Sequence, residues 1–258
     1  MHFSDTHCHF DFPAFHGDRD ALLAQCAQRG VRRILIPGTQ PKQWQPLLDL
    51  CRQHHELSCG LGMHPCFTPK IEHLEFLASL LSHQQVVALG EIGLHGPAGG
   101  LAQQQVLFEA QLRLAQTFAL PVILHQVQAH QAMIESLQRV PPQYGGVIHA
   151  FSGSLEMAQT YHQRWGLLLG VGGVMTYPRA QKTRRALAQI DDSALVLETD
   201  APDMPLHRFQ GMRNSPLQVP NVFRALCRLR GLTSVSSQRR LAAQLEHNAD
   251  RLWLGSMG

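Results

Sequence analysis

The chain contains no Cys-x-x-Cys pair. Its six cysteines, at positions 8, 26, 51, 59, 66 and 227, form no disulfide framework, and 258 residues is far longer than a disulfide-stapled scaffold. A cystine-rich extracellular module is therefore excluded. Free, mostly buried thiols fit a reducing compartment, and the expected location is cytoplasmic. The chain does not open on a basic segment followed by an apolar one, so no secretory signal peptide is expected. No apolar run approaches the roughly 20 residues of a transmembrane helix, and no membrane association is expected. Charge is sparse, at 16% of residues. The net charge of +3 with histidine neutral is too mild to argue by itself for nucleic acid or membrane. No glycine-rich phosphate turn follows the first apolar stretch, which argues against an open doubly wound sheet binding a dinucleotide. Repeats, low-complexity tracts and linkers are missing too, so residues 1–258 read as one domain with room for a sizeable core.

Histidine is what the chain has in excess: sixteen against nineteen carboxylates. Six of them (His54, His55, His73, His83, His162 and His247) fall on polar faces of helical patterns and read as solvated. The others are interpreted through the fold. Short, near-continuous apolar runs alternate with amphipathic stretches along the whole chain. Strands are predicted within 3–10 and over 31–37, 57–62, 86–93, 120–125, 146–149, 167–172 and 194–200. Helices are predicted over 18–28, 43–54, 71–81, 101–118, 130–139, 154–165, 180–189 and 222–230, with a C-terminal helical segment over 236–252. Unbroken apolar strands are expected of parallel strands covered on both faces. Eight strands alternating with eight helices predict an α/β fold, a (β/α)8 TIM barrel.

In such a barrel, active sites are built where the strands end. The residues there are His7 and His9 after the first strand, Glu91 at the fourth, His125 at the fifth, His149 at the sixth and Asp200 at the eighth. A strand has a side-chain period of two, so His7 and His9 point to one side. Four imidazoles and two carboxylates gathered at one mouth would be a costly desolvated cluster without a metal ion. One zinc takes about four ligands, so six suit two divalent ions. The simplest partition gives His7, His9 and Glu91 to one ion and Glu91, His125 and His149 to the other, with Asp200 near the first. Histidine donors favour zinc, manganese, nickel or iron over magnesium. A water held by two such ions is acidified towards neutrality and becomes a nucleophile; Asp200 takes its proton and Glu91 holds the ions. The predicted chemistry is metal-assisted hydrolysis.

Four further groups are weighed against plainer roles. His64 follows the third strand and is a candidate ligand-support or substrate group. His95 follows the fourth strand and could donate to a substrate anion or be a plain loop histidine. Arg179 lies in the loop after the seventh strand, within reach of a phosphate, whereas Lys182, Arg184 and Arg185 read as a solvated helix face. Glu198 lies one layer below Asp200, as a buried partner of a ligand or basic group.

These residues sit in segments that resemble the TatD family of metal-dependent hydrolases, within the amidohydrolase superfamily. The segments are 5–11 (Asp-Thr-His-Cys-His-Phe-Asp), 62–65 (Gly-Met-His-Pro), 90–94 (Gly-Glu-Ile-Gly-Leu), 121–125 (Pro-Val-Ile-Leu-His), 149–153 (His-Ala-Phe-Ser-Gly) and 198–202 (Glu-Thr-Asp-Ala-Pro), with Asn214-Ser215-Pro216 and Asn248. Residues 172–180 and 203–206 are similar to the uncharacterised YjjV-type branch. The resemblance implies a TIM barrel, two or three divalent ions (zinc, manganese, magnesium or nickel), the ligand set above and, for some members, DNA exonuclease activity. Three positions depart from the family pattern. His95 stands where an Asp is usual, Val127 where an Arg is frequent, and Cys66 where a second His closes His-Pro-His. Loss of an Arg removes a bidentate phosphate donor. Three functions are therefore carried forward: a phosphodiesterase or deoxyribonuclease acting on single-stranded DNA or nucleotide ends, a hydrolase of a small amide or ester, and a non-enzymatic metal-binding scaffold.

Overall fold

Apolar runs too short for helices become the sheet, and the amphipathic stretches between them become its cover. The computed structural model describes residues 1–67 and 69–253, so the last residues of the predicted 1–258 domain lie outside the described part. The strands are β1 (Phe3–Asp5), β2 (Val31–Gly38), β3 (Leu57–Leu61), β4 (Val86–His95), β5 (Val122–Val127), β6 (Gly146–Ile148), β7 (Leu168–Val171) and β8 (Leu195–Leu197). The helices are α1 (Arg19–Gln28), α2 (Pro41–Gln53), α3 (Leu74–Leu80), α4 (Leu101–Thr117), α5 (His130–Arg139), α6 (Leu155–Trp165), α7 (Gln181–Gln189), α8 (Val219–Leu229) and α9 (Val235–Trp253). The strands follow one another in sequence order in a single eight-stranded sheet. The backbone N–H of Thr6 meets the Leu197 carbonyl at 3.0 Å, and Cys8 bridges Ala201, which joins the last strand to the first. This is the (β/α)8 TIM barrel that the alternation predicts.

The chain divides into two compact units, residues 1–36 with 150–250 and residues 37–149 with the chain from 251 on. In the first, α8 buries Val222, Phe223 and Leu226, and Phe223 packs on Phe3 of β1 with ring centroids 5.1 Å apart. Ser154 caps α6 by accepting the Met157 N–H at 3.2 Å, as its position predicts, and Gly166 in the left-handed region ends that helix. In the second unit, the α2 stripe of Trp44, Leu47, Leu48 and Cys51 is buried, and the Trp44 indole donates to the Gly62 carbonyl at 3.2 Å. Gln111 of α4 clasps the backbone of Met63, accepting its N–H at 2.7 Å.

Three strands at the site end elsewhere than the sequence reading has them. β5 runs over Val122–Val127 instead of 120–125, so His125 lies inside it and not at its end. β4 runs on to His95, because Leu94 and His95 continue the ladder against Gln126 and Val127 of β5. β8 stops at Leu197 instead of reaching Asp200. Beyond Leu197, the Thr199 N–H turns to the Asp5 carboxylate at 3.0 Å, and Asp200 adopts a left-handed backbone (φ 55°). A side chain has replaced the neighbouring strand as backbone partner, and the ladder ends there.

α9 is tied to the root of β8 by Asn248, which is buried and donates to the carbonyls of Asp192 at 2.7 Å and Leu195 at 2.8 Å. Asn248→Ala leaves both acceptors without that amide. The expected loss is about 2 kcal/mol, read as a lower urea midpoint at unchanged slope.

Candidate metal centre

In the second unit, three imidazoles stand around one carboxylate and a fourth, His95, stands behind one of them. Glu91 sits in β4 just before its ladder with β5 resumes at Ile92. Its Oε1 lies 3.2 Å from His64 Nε2, 3.0 Å from His125 Nδ1 and 2.8 Å from His149 Nε2. His125 Nδ1 and His149 Nε2 are themselves 3.1 Å apart. Two donors held about 2.1 Å from one tetrahedral or octahedral ion stand roughly 3.0–3.4 Å from each other. The spacing of this donor set therefore fits a common ion. Burial pushes the His125 pKa down to about 4, against the pull of Glu91, so its ring is neutral at pH 7 and has a lone pair to give.

Hydrogen bonds divide the imidazoles by role. His64 Nδ1 accepts the Cys66 N–H at 3.1 Å, so a neutral His64 carries its proton on Nε2, towards Glu91. His64 is placed as a donor to whatever Glu91 holds. His125 turns Nδ1 to Glu91 and Nε2 to His95 Nδ1, 2.9 Å away. The register explains the meeting. Gly93 pairs with His125, and His95 lies two residues further on the same side of β4. A Cβ at Gly93 would collide with the His125 backbone, and its absence leaves His95 to cover His125. The rings stack 5.2 Å apart at 18°. The His95 backbone is fixed in turn, its N–H donating to Gln104 Oε1 at 2.8 Å. Partial burial holds the His95 pKa below its usual value, which keeps Nδ1 able to accept.

In the first unit, His7 and His9 lie beyond the end of β1, yet the alternation predicted for them persists. Cys8 between them is buried, with its N–H on the Leu35 carbonyl at 3.1 Å, and both imidazoles face Asp200. Asp200 Oδ1 is 3.5 Å from His7 Nε2 and 3.6 Å from His9 Nε2. The Asp200 N–H donates to the His7 carbonyl at 2.9 Å, which holds the carboxylate beside them. His9 is braced from outside by Phe12, stacked at 4.6 Å. Glu198 is buried and accepts the Ala150 N–H at 2.6 Å, holding Ala150 in its left-handed backbone (φ 46°). The room for that carboxylate is left by Gly170, where a Cβ would run into Glu198 Oε2.

The residue that the sequence reading passes over is Asp5. It is buried and accepts from Thr199 Oγ1 at 2.6 Å, Thr199 N–H at 3.0 Å and His7 N–H at 3.3 Å. It thus joins the chain after β8 to the chain after β1, at the base of His7 and Asp200. Period two places it on the side of His7, which is the signal available in the sequence. Asn214, noted in the sequence only as part of the family resemblance, has a comparable structural role. Its amide donates to the carbonyls of Thr199 and Asp203, each at 2.9 Å, and fixes the loop on both sides of Asp200. Arg179 is exposed and lies over the Tyr177 ring, 5.1 Å from its centroid, beside a 230 Å³ cavity with Val174, Met204 and Pro205.

A (β/α)8 barrel with histidines gathered around carboxylates at its strands defines a metal-dependent hydrolase. The chain belongs to the TatD family: the model described as TatD related DNase matches residues 4–254. It is 45% identical over 234 residues to an uncharacterized metal-dependent hydrolase, YjjV of Escherichia coli K12, covering 88% of this chain and 90% of the relative. It is 34% identical over 251 residues to a 3'-5' ssDNA/RNA exonuclease, TatD of Erwinia tasmaniensis, covering 93% and 95%. The crystal structure of E. coli YjjV, a TatD homolog, matches at a TM-score of 0.90 and 42% identity, covering 98% of each chain. Among the described residues no helix is long and apolar enough to cross a membrane.

Burial raises the Asp5 carboxyl to about 7, with Asp200 adding a smaller push and the Thr199 and His7 hydrogen bonds opposing. The folded state then holds a proton that the unfolded state releases near the usual value of 3.8. The stability from that proton is complete below about pH 4 and is lost as pH rises through about 7. In metal-free protein, wild type should lose stability relative to Asp5→Asn over this window, by roughly 4 kcal/mol. Urea titrations of both proteins from pH 4 to 8 check it; parallel curves would contradict the assignment.

Proposed function

We propose that this chain is a phosphodiesterase that removes nucleotides from an end of single-stranded nucleic acid with two divalent ions. The observation that carries the reading is the meeting of His125 Nδ1, His149 Nε2 and Glu91 Oε1 within about 3 Å of one another. In this reading Glu91, His125 and His149 hold one ion. His7, His9 and Glu91 would hold the other, with Asp200 beside it, since Glu91 and His125 lie in β4 and β5 and the other four lie just beyond strands of the same parallel barrel. The match of a single family model to residues 4–254 supports treating the whole chain as one catalytic domain. The exonuclease named among the relatives supports the substrate class. Imidazole-rich donor sets favour zinc, manganese or nickel, and the carboxylates among the donors would also admit magnesium.

Bound ions at these positions supply an acidified water and a counter-charge for the phosphate oxygens. The protein residues do the rest. Asp200, held by its own N–H on the His7 carbonyl, is the group that takes a proton from the attacking water and passes it towards the leaving oxygen. His64 keeps its Nε2 proton towards Glu91 and steadies that carboxylate. His95 accepts the His125 Nε2 proton and leaves Nδ1 free to bind, the role that a carboxylate more often plays behind a ligating histidine.

A second reading has one specific observation behind it. Val127 ends β5 beside His95, where a guanidinium could have gripped a phosphate. A small amide or ester substrate would not need that grip. Labelled single-stranded DNA and RNA, incubated with protein loaded with Mg, Mn or Zn, separate the two. Release of mononucleotides is expected, abolished by EDTA and restored by metal. If no loaded form releases nucleotides while a small ester or amide is hydrolysed, the second reading replaces the first. Asp200→Asn should lower turnover by about 10²–10⁴ with little change in metal content. His95→Ala should weaken metal binding about 10–100-fold by calorimetry. It should also shift the His125 tautomer in nitrogen NMR of the metal-free protein, and His95→Asp should restore both.

A further inference from the structure

The mild net charge conceals a division along the chain. Residues 173–190 and 204–245 hold eleven of the 22 Lys and Arg and none of the 19 Asp and Glu. The remainder has eleven basic residues against nineteen acidic ones. Within the first unit, the two basic stretches meet around a cavity of about 660 Å³. Arg184 of α7, Arg224 and Arg228 of α8, and His207, Arg208 and Phe209 of the loop after β8 line it, and no carboxylate does.

Five arginines elsewhere are neutralised by an acid: Arg33, Arg52, Arg139, Arg213 and Arg230 each pair with an Asp or Glu. Among the described residues, the four cavity arginines form no such pair. Arg184 donates to the Met175 carbonyl at 2.6 Å and Arg224 to Asn221 Oδ1 at 2.6 Å, contacts that orient the guanidinium groups without cancelling their charge. Keeping like charges together at one cavity costs stability unless an anion joins them. The cavity also belongs to the catalytic end of the fold. The loop bearing His207 and Arg208 is the continuation of the loop bearing Asp200. It is clamped to the loop after β7 by the His207 N–H on Thr176 Oγ1 at 2.8 Å and by the Tyr177 hydroxyl on the Pro205 carbonyl at 2.8 Å.

We infer that this cavity is a second binding site, for the phosphodiester backbone of a nucleic acid strand whose end is being processed. Four guanidinium groups without an acid partner suit the phosphates of a strand, and Phe209 and His207 offer flat faces to its bases. The inference rests on the phosphodiesterase reading for its substrate class, and it answers a difficulty in that reading. The guanidinium groups that Val127 does not provide are provided by these four arginines.

The test is binding without turnover. Metal-free protein is titrated against 5'-fluorescein oligothymidylate of about two to twelve nucleotides, by anisotropy, at about 50 mM salt and above. Wild type should bind longer strands progressively more tightly. Arg224→Gln/Arg228→Gln should weaken the longest strand at least about tenfold and flatten the log–log salt slope by about 1.4, the effect of two phosphate contacts on a single strand. The ratio of wild-type to variant affinity should fall towards one for the dinucleotide. Arg184→Gln/Arg208→Gln, on the other elements of the cavity, serves as the second variant if the first unfolds. Equal binding of the long strand by wild type and a folded variant would overturn the inference. So would competition by tripolyphosphate as tight as the strand, which would make this a small-anion site. Absence of nuclease activity with length-dependent binding intact would remove the phosphodiesterase reading and leave the site standing. Nuclease activity with unchanged variant binding would do the reverse.

Discussion

A carboxylate oxygen buried among imidazole nitrogens sets the terms for the chemistry of this protein. Glu91 is almost wholly out of water, and water is what ordinarily makes a carboxylate inexpensive. The usual compensation is a positive charge. His125 does not provide it, since burial holds that ring neutral well below physiological pH. A neutral imidazole offers one donor and one acceptor, and where several face one oxygen their lone pairs also face one another. A divalent cation accepts all of those lone pairs at once. The environment that makes the cluster unfavourable when empty is what makes it selective for a multiply charged ion when filled.

Around that demand, the fold relinquishes regular structure at particular places. β1 and β8 are short because the backbone beyond them is diverted to side chains: His7 and Thr199 give their N–H groups to Asp5, and Asp200 turns through a left-handed conformation. Without those diversions the ladder would run on, and the side chains of His7 and Asp200 would be spaced by strand geometry alone. Gly93 and Gly170 serve the same end from the other direction. Gly93 leaves room for the His125 backbone to approach β4 beneath His95, and Gly170 leaves a Cβ-sized space that the Glu198 carboxylate uses to reach Ala150.

How far the sequence could be read follows from the range of each signal. Period and apolar continuity are local, and they delivered the eight strands, the helices from α1 to α9 and the alternation that defines the barrel. His7 and His9 were legible because a period of two survives beyond the last ladder bond. Glu91, His125 and His149 stood out because each is a polar residue closing an apolar run; only His149 follows its strand, since β4 and β5 continue past Glu91 and His125 to His95 and Val127. Asp5 was not, since its partners lie on Thr199, 194 residues away, and nothing local distinguishes a buried acid from a solvated one. The pairing of His95 with His125 was hidden for a similar reason: it depends on the register of β4 against β5. The end of β8 was misjudged because apolar continuity up to Leu197 does not reveal which backbone donors a distant carboxylate will take.

Charge was the least legible property of all, because a total conceals a distribution. A net charge of +3 suggests indifference to nucleic acid, yet half the basic residues lie in two stretches that contain no acid. The fold sets those stretches on α7, α8 and the loop leading away from Asp200, so the charge acts as a local field rather than an average. A metal centre that neutralises one phosphate has no means of holding a polymer, since only the reacting diester sits within reach of its ions. Processive handling of a strand requires further positive groups at phosphate spacing along the chain, outside the reacting shell. Guanidinium groups held by neutral acceptors, as Arg184 and Arg224 are, meet that requirement in a way that ion-paired arginines cannot. The two physical demands, a neutral donor set inside and unpaired cations outside, are consistent with one substrate that is anionic along its whole length.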